Sequence, residues 1–496
     1  MKELQIMKKK LLLLFLTAIM VLSFSSCSGR YSQGSYSDQN LAYNGESYLA
    51  IDENKETPTD DETTATFSLK VDTAAYTNVA RYINSGNLPP EDAVRTEEMI
   101  NYFKYEGKMD FSESPFAIQT EIGPSPFNKN NHMAYIRIKT KEIDKSKLPP
   151  SNLTFLIDTS GSMDSYDKLP LLKKAFSLLV ETLGENDKVS IVTYAGSSGV
   201  LLDSVSGDNK TKILNAIDNL TSGGSTAGAD GIKTAYKLAE KNFKKNGNNR
   251  VILATDGDFN VGISNTDELA SLVSQKRDSG VYMSILGFGT DNIRDDIMET
   301  LSKNGNGNYS YINSVQTAKK VLVEELGSNL FTVADDTKAQ IEFNPKSVKK
   351  YRLIGYENRK LDNEDFTNDE KDAGEIGAGA DIVAMFEIEL SENQKNLPDN
   401  LFEVRIRYKD PGKTESKLIT KTAGKSGIKT HPSTDYNFAC SVAAFGHLLR
   451  KSSYVGDANI ADIIALASEN LGKDPSGYRH EYLGLLKQYQ RLSDSK

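Results

Sequence analysis

Cysteine is nearly absent: two residues, Cys27 and Cys440, in a chain of 496. That scarcity excludes a disulfide framework, a cysteine-bound metal cluster and a CxxC redox pair. Histidine is almost as rare. His132, His431, His447 and His480 lie on different segments, and none falls in an H-E-x-x-H pair. There is no G-x-S-x-G elbow, and the Gly-rich run Gly223 to Gly228 lacks the Lys of a phosphate-binding loop. A basic surplus is missing too: 59 Lys and Arg face 68 Asp and Glu, for a net charge of −9. Such a balance argues against nucleic acid, whose phosphates reward basic patches, and leaves basic partners and metal ions open. Repeats of 20–50 residues and coiled-coil heptads are also lacking. After Leu22 no apolar run is long enough to span a bilayer.

What is present starts with an export signal. Lys8-Lys9-Lys10 precede the apolar run Leu11 to Leu22, the length of a signal core rather than of a membrane span. Phe24-Ser25-Ser26-Cys27 then reads as a lipobox, predicting a signal peptide over 1–26 and acylation of Cys27. Acyl chains would hold to a membrane a chain that does not cross it. Removing 1–26 takes away four Lys and one Glu, leaving a charge of about −12. Cys440 is then without an intramolecular disulfide partner and is expected to be a packing residue. Residues 27–64, rich in Ser, Gly, Tyr, Asn and Asp, predict a flexible tether spanning roughly 35 Å.

The densest chemical signal is Asp158-Thr159-Ser160-Gly161-Ser162, directly after the apolar run Leu153 to Ile157. A carboxylate and two hydroxyls at alternate positions on the turn after a buried strand can converge on one point. Three such oxygens suit a hard cation such as Mg²⁺. Alone the pattern is weak, because Ser and Asp are common in turns. Two later segments strengthen it. Thr226 sits on a Gly-rich loop before a helical pattern, and Asp256 ends the apolar run Val251 to Ala254.

Residues 150–330 alternate strand and helix, predicting an α/β domain with a mainly parallel sheet wrapped by helices. Strands are expected at 153–158, 188–194, 199–202, 250–255, 281–287 and 308–312. Helices are expected near 168–183, 209–219, 228–243, 265–279, 292–303 and 314–327. In such sheets ligands sit at the carboxyl ends of the strands, where all three segments fall. Residues 65–149 predict a strand near 67–71, a helix from Ala74 to Ile83, a helix from Pro90 to about Tyr105, and strands at 116–122 and 133–138. Residues 331–425 read as a β-sandwich-like domain, and 426–496 as helical, with stripes such as Phe438, Val442, Phe445 and Leu449. Strands on both sides of 150–330 suggest a domain inserted into a β domain built from its two flanks.

Asp158, Ser160, Ser162, Thr226 and Asp256 match the metal-ion-dependent adhesion site of the von Willebrand factor type A family, which the central segment resembles. The flanks resemble those of bacterial lipoproteins carrying this domain. The resemblance implies Ser160, Ser162 and Thr226 as direct ligands, with Asp158 and Asp256 acting through water or swapping in. It implies Mg²⁺, with Mn²⁺ or Ca²⁺ as substitutes, and a protein partner whose Asp or Glu completes the coordination. It further implies that the last helix, 314–327, shifts when that carboxylate binds. The expected protein is a non-enzymatic, lipid-anchored binding module of the outer membrane facing the periplasm, with surface display second. Alternatives are an adaptor or scaffold for an ATPase-driven or envelope assembly process, and a divalent-metal hydrolase.

Overall fold

Along the strand Ser151–Asp158 every residue is buried, because both faces of its sheet are covered. Leu153, Phe155 and Ile157 enter one apolar cluster with the helix Leu169–Thr182; Leu156 enters the other with the helix Gly228–Lys241. The sheet has six strands. In spatial order they are Tyr309–Tyr311, Tyr282–Gly287, Asn248–Thr255, Ser151–Asp158, Lys188–Tyr194 and Ser198–Ser206. All neighbours are parallel except the last pair, whose edge strand runs antiparallel. This is the mixed, helix-flanked α/β sheet expected.

The computed structural model describes residues 45–112, 114–144, 147–224, 228–257, 266–290, 292–391 and 397–495. The expectations for the signal peptide, for Cys27, for the first part of the tether and for Thr226 lie outside the described residues. Among the described residues no helix is long and apolar enough to cross a membrane.

The two flanks of the α/β domain share their sheets. Strands Phe116–Pro124 and His132–Thr140 pair with Asp381–Leu390 and, beyond it, Val348–Ile354. Thr64–Ser68 joins a second sheet with Thr332–Phe343, Asn400–Lys409 and Ser416–Gly424. Period-two alternation organises what lies between and above them. Ala134, Ile136, Ile138, Ala384 and Phe386 point into the space between the sheets, where Phe343 and Phe402 meet them. Met133, Tyr135, Val383 and Met385 point outward under a helical layer. That layer joins Ala74–Asn84 and Thr96–Asn101 to the tail helices Thr434–Leu449, Ile460–Glu469 and Tyr478–Asp494. Cys440 is buried there, and burial pushes its thiol well above its usual range, as befits a packing residue.

Three expectations need correction. Residues 45–64 are not a free tether. The Ser47 amide donates to Ile293 O (3.0 Å), Glu46 pairs with Arg81 (2.8 Å), and Thr57–Pro58 pair with the strand Val348–Ile354. Composition misled because this segment is held by polar contacts instead of an apolar stripe. The helix expected from Pro90 to Tyr105 is a single turn, Glu91–Ala93, followed by Thr96–Asn101. Arg95 breaks it with extended backbone and turns its guanidinium toward Glu98 and Asp295, each at 2.6 Å. The helix expected over 314–327 is Val315–Lys319, a π-helical turn Lys320–Glu324, and Leu326–Leu330. There the buried Lys320 ammonium pairs with Glu325 and lies 4.7 and 5.3 Å from the ring centres of Tyr102 and Tyr478.

Candidate metal centre

Asp158 is the last residue of its strand, and alternation turns it to the side opposite Ile157. Its register neighbour Tyr194 ends the adjacent strand on the same face. The Tyr194 hydroxyl donates to Asp158 Oδ2 at 3.1 Å. Tyr194 can lie flat there because the residue crossing it is Gly231, where a Cβ would come within 2.9 Å of Tyr194 Cβ. On the other side Thr255, next after the register partner of Ile157, donates its hydroxyl to the same Oδ2 at 3.2 Å. Asp158 Oδ1 accepts the Ser160 amide at 2.9 Å, which curls the turn back on itself.

That curl brings Ser160 Oγ within 3.0 Å of Ser162 Oγ. The turn is fastened from outside by Gly161 N to Gly224 O (3.1 Å) and Gly223 N to Thr159 O (2.8 Å). The Gly-rich loop that carries Thr226 is thereby tied to the Asp158 turn at 223–224. Asp256 follows the neighbouring strand and is fully buried, as is Asp158. Burial pushes the Asp158 carboxyl up to about 6; the Ser160 and Tyr194 hydrogen bonds hold it down, and the nearby Asp256 charge raises it further.

Four of the five motif residues, Asp158, Ser160, Ser162 and Asp256, therefore lie at the carboxyl end of the sheet, with Asp256 near enough for its charge to act on Asp158. Asp164 and Asp167 serve the surrounding turns. Asp164 accepts from Ser222 Oγ (2.6 Å) and Asp167 from Ser165 Oγ (2.5 Å). The motif reading missed Lys168, whose Nζ lies 2.9 Å from Asp256 Oδ2, and Asn292, whose Nδ2 lies 3.4 Å from the same oxygen. Nothing in the spacing of Lys168 ties it to a residue 88 positions on.

Among the described residues no three His, Cys, Asp or Glu side chains gather as a metal site, so a cation here would draw on hydroxyls as well as carboxylates. The two hydroxyls are hydrogen-bonded to each other, and their spacing is also compatible with a shared cation. With Mg–O bonds of about 2.0–2.1 Å, adjacent corners of an octahedron lie about 3 Å apart, the separation of Ser160 Oγ and Ser162 Oγ. All available donors are hard oxygens.

Residues 152–324 match the von Willebrand factor type A domain family, and residues 42–135 the family described as von Willebrand factor. Fold and match together define a type A domain protein. Residues 328–492 match the C-terminal region of uncharacterized protein YfbK. Over 470 residues, 90% of this chain and 81% of the relative, the sequence is 43% identical to uncharacterized protein YfbK of Escherichia coli (strain K12). The chain belongs to the YfbK family. A more distant relative is human inter-alpha-trypsin inhibitor heavy chain H3, 23% identical over 271 residues, covering 50% of this chain and 30% of that one. Among solved structures, a von Willebrand factor type A protein from Catenulispora acidiphila is 14% identical. It covers 76% of this chain and 91% of that one, with a TM-score of 0.44.

Proposed function

We propose that this protein is a cation-dependent binding module. Asp158, Ser160, Ser162 and Asp256, with Thr226, hold a Mg²⁺ that accepts an Asp or Glu from a protein partner. The observation that carries the reading is the pair of serine hydroxyls at octahedral spacing beside two buried carboxylates at the carboxyl end of the sheet. Hydroxyl ligands add no negative charge of their own, so whatever charge the nearby carboxylates leave on the ion attracts a visiting carboxylate in a partly dry interface. Acylation at Cys27 would keep the module in the cell envelope, facing the periplasm.

Calorimetric titration of the purified chain with MgCl₂ or MnCl₂ tests the reading. Saturable one-site binding is expected, at least about tenfold weaker in Asp158→Ala. Affinity capture from solubilised membranes should then lose its partner on adding EDTA. Unchanged metal affinity in Asp158→Ala, or a partner retained in EDTA, would sink it.

A further inference from the structure

Lys168 enters the site from the start of the helix Leu169–Thr182, and its backbone is tied on both sides. Its amide donates to Ser165 O (3.0 Å), and its carbonyl accepts from Leu172 N (2.8 Å). The side chain is only 9% exposed, and its ammonium sits 2.9 Å from Asp256 Oδ2 and 3.3 Å from Asn292 Oδ1. To arrive there its stem crosses Gly289. A Cβ at Gly289 would come within 2.2 Å of Lys168 Cε, and the glycine's φ of +81° disfavours any other residue. The loop after the strand Tyr282–Gly287 is thus shaped to admit this lysine. An ammonium taken out of water is costly unless it is paired, and here its partner is a motif aspartate.

The charge balance gives the placement a meaning, and it rests on the metal reading above. Among the described residues, two buried aspartates and one ammonium leave the cluster with a single surplus negative charge. A divalent cation turns that into a single surplus positive charge, which one incoming carboxylate neutralises. Were Lys168 uncharged, the aspartates alone would neutralise the ion, and a third carboxylate would enter a site with no charge to match.

We propose that Lys168 is a specificity-determining residue of this site: by quenching Asp256 it weakens the grip on the cation and makes the loaded site demand an anionic visitor. The consequence is a thermodynamic coupling between cation and carboxylate, reciprocal by necessity.

The test uses the full chain, Mn²⁺ followed by its electron paramagnetic resonance signal, and sodium acetate as the carboxylate probe at constant ionic strength. In the unaltered protein acetate should tighten Mn²⁺ binding. In Lys168→Met, Mn²⁺ alone should bind at least about tenfold more tightly, and the acetate effect should vanish. Gly289→Ala is the second variant. It keeps every charge but crowds the lysine stem, and should shift both readouts the same way even if Lys168→Met does not fold. Mn²⁺ binding in the unaltered chain with unchanged affinity and acetate coupling in the variants would overturn the role of Lys168 alone. No Mn²⁺ binding in the unaltered chain would remove the metal reading and this inference together.

Discussion

At the scale of single residues the cluster depends on how Asp158 is held. Its Oδ2 takes two hydroxyl hydrogen bonds, from Tyr194 and Thr255, in a fully buried setting. Removing one donor without leaving a hole should cost roughly 1–2 kcal/mol, because the carboxylate loses a partner it cannot replace with water. Tyr194→Phe is therefore expected to lower unfolding stability by about that amount in a denaturant titration; a change indistinguishable from zero would mean the hydroxyl is not a working donor. Asp158, Ser160 and Ser162 are readable from spacing because they lie within five residues of one another and the turn that gathers them is local. Lys168 and Asn292 are not, because their approach to Asp256 depends on where two other loops come to rest.

At the scale of elements, the short helix Thr96–Asn101 holds two carboxylates, Glu97 and Glu98, out of water. Glu97 is buried under the turn at Gly355, where a Cβ would come within 2.6 Å of its Oε2. Burial, then the charges of Glu357 and Glu98, push its carboxyl up to about 8, against an ordinary value of 4.5. The sign follows from linkage. The folded chain keeps a proton that the unfolded chain gives up above 4.5, so this group's stabilising share is complete below 4.5. It is lost as pH rises toward 8. Glu97→Gln cannot ionise, so its stability relative to the unaltered chain should climb between pH 4.5 and 8 and level off above. A difference that stays flat across that window would show that Glu97 ionises freely in the folded state. The strand and helix limits of the α/β domain follow the apolar periods closely, Lys188–Tyr194 among them. The broken helix at Arg95 and the π-helical turn at Lys320 do not, since each serves a buried ion pair rather than a stripe.

At the scale of the whole molecule, buried charges tie the α/β domain to its flanks. Arg95 spans Glu98 and Asp295 at 2.6 Å each, with Glu299 at 3.6 Å. Arg359, from the β region, meets Asp72 at 2.8 Å and Glu299 at 3.6 Å. Removing one partner of such a network leaves uncompensated buried charge, at about 3–5 kcal/mol. Arg95→Ala should accordingly lose stability of that order in a denaturant titration, and a loss below about 1 kcal/mol would mean the network is relaxed or hydrated.

The α/β sheet, the oxygen-rich turn Asp158 to Ser162, the β region and the helical tail were all legible in the sequence alone. Each rests on alternation, helical period or turn spacing, which act between residues a few positions apart. Tertiary structure alone decided that Lys168 meets Asp256, that Arg95 meets Asp295 across 200 residues, and that residues 45–64 lie against the folded body. Those contacts arise where separately formed pieces must bury their remaining polar and charged groups against one another, and no local pattern encodes which piece arrives.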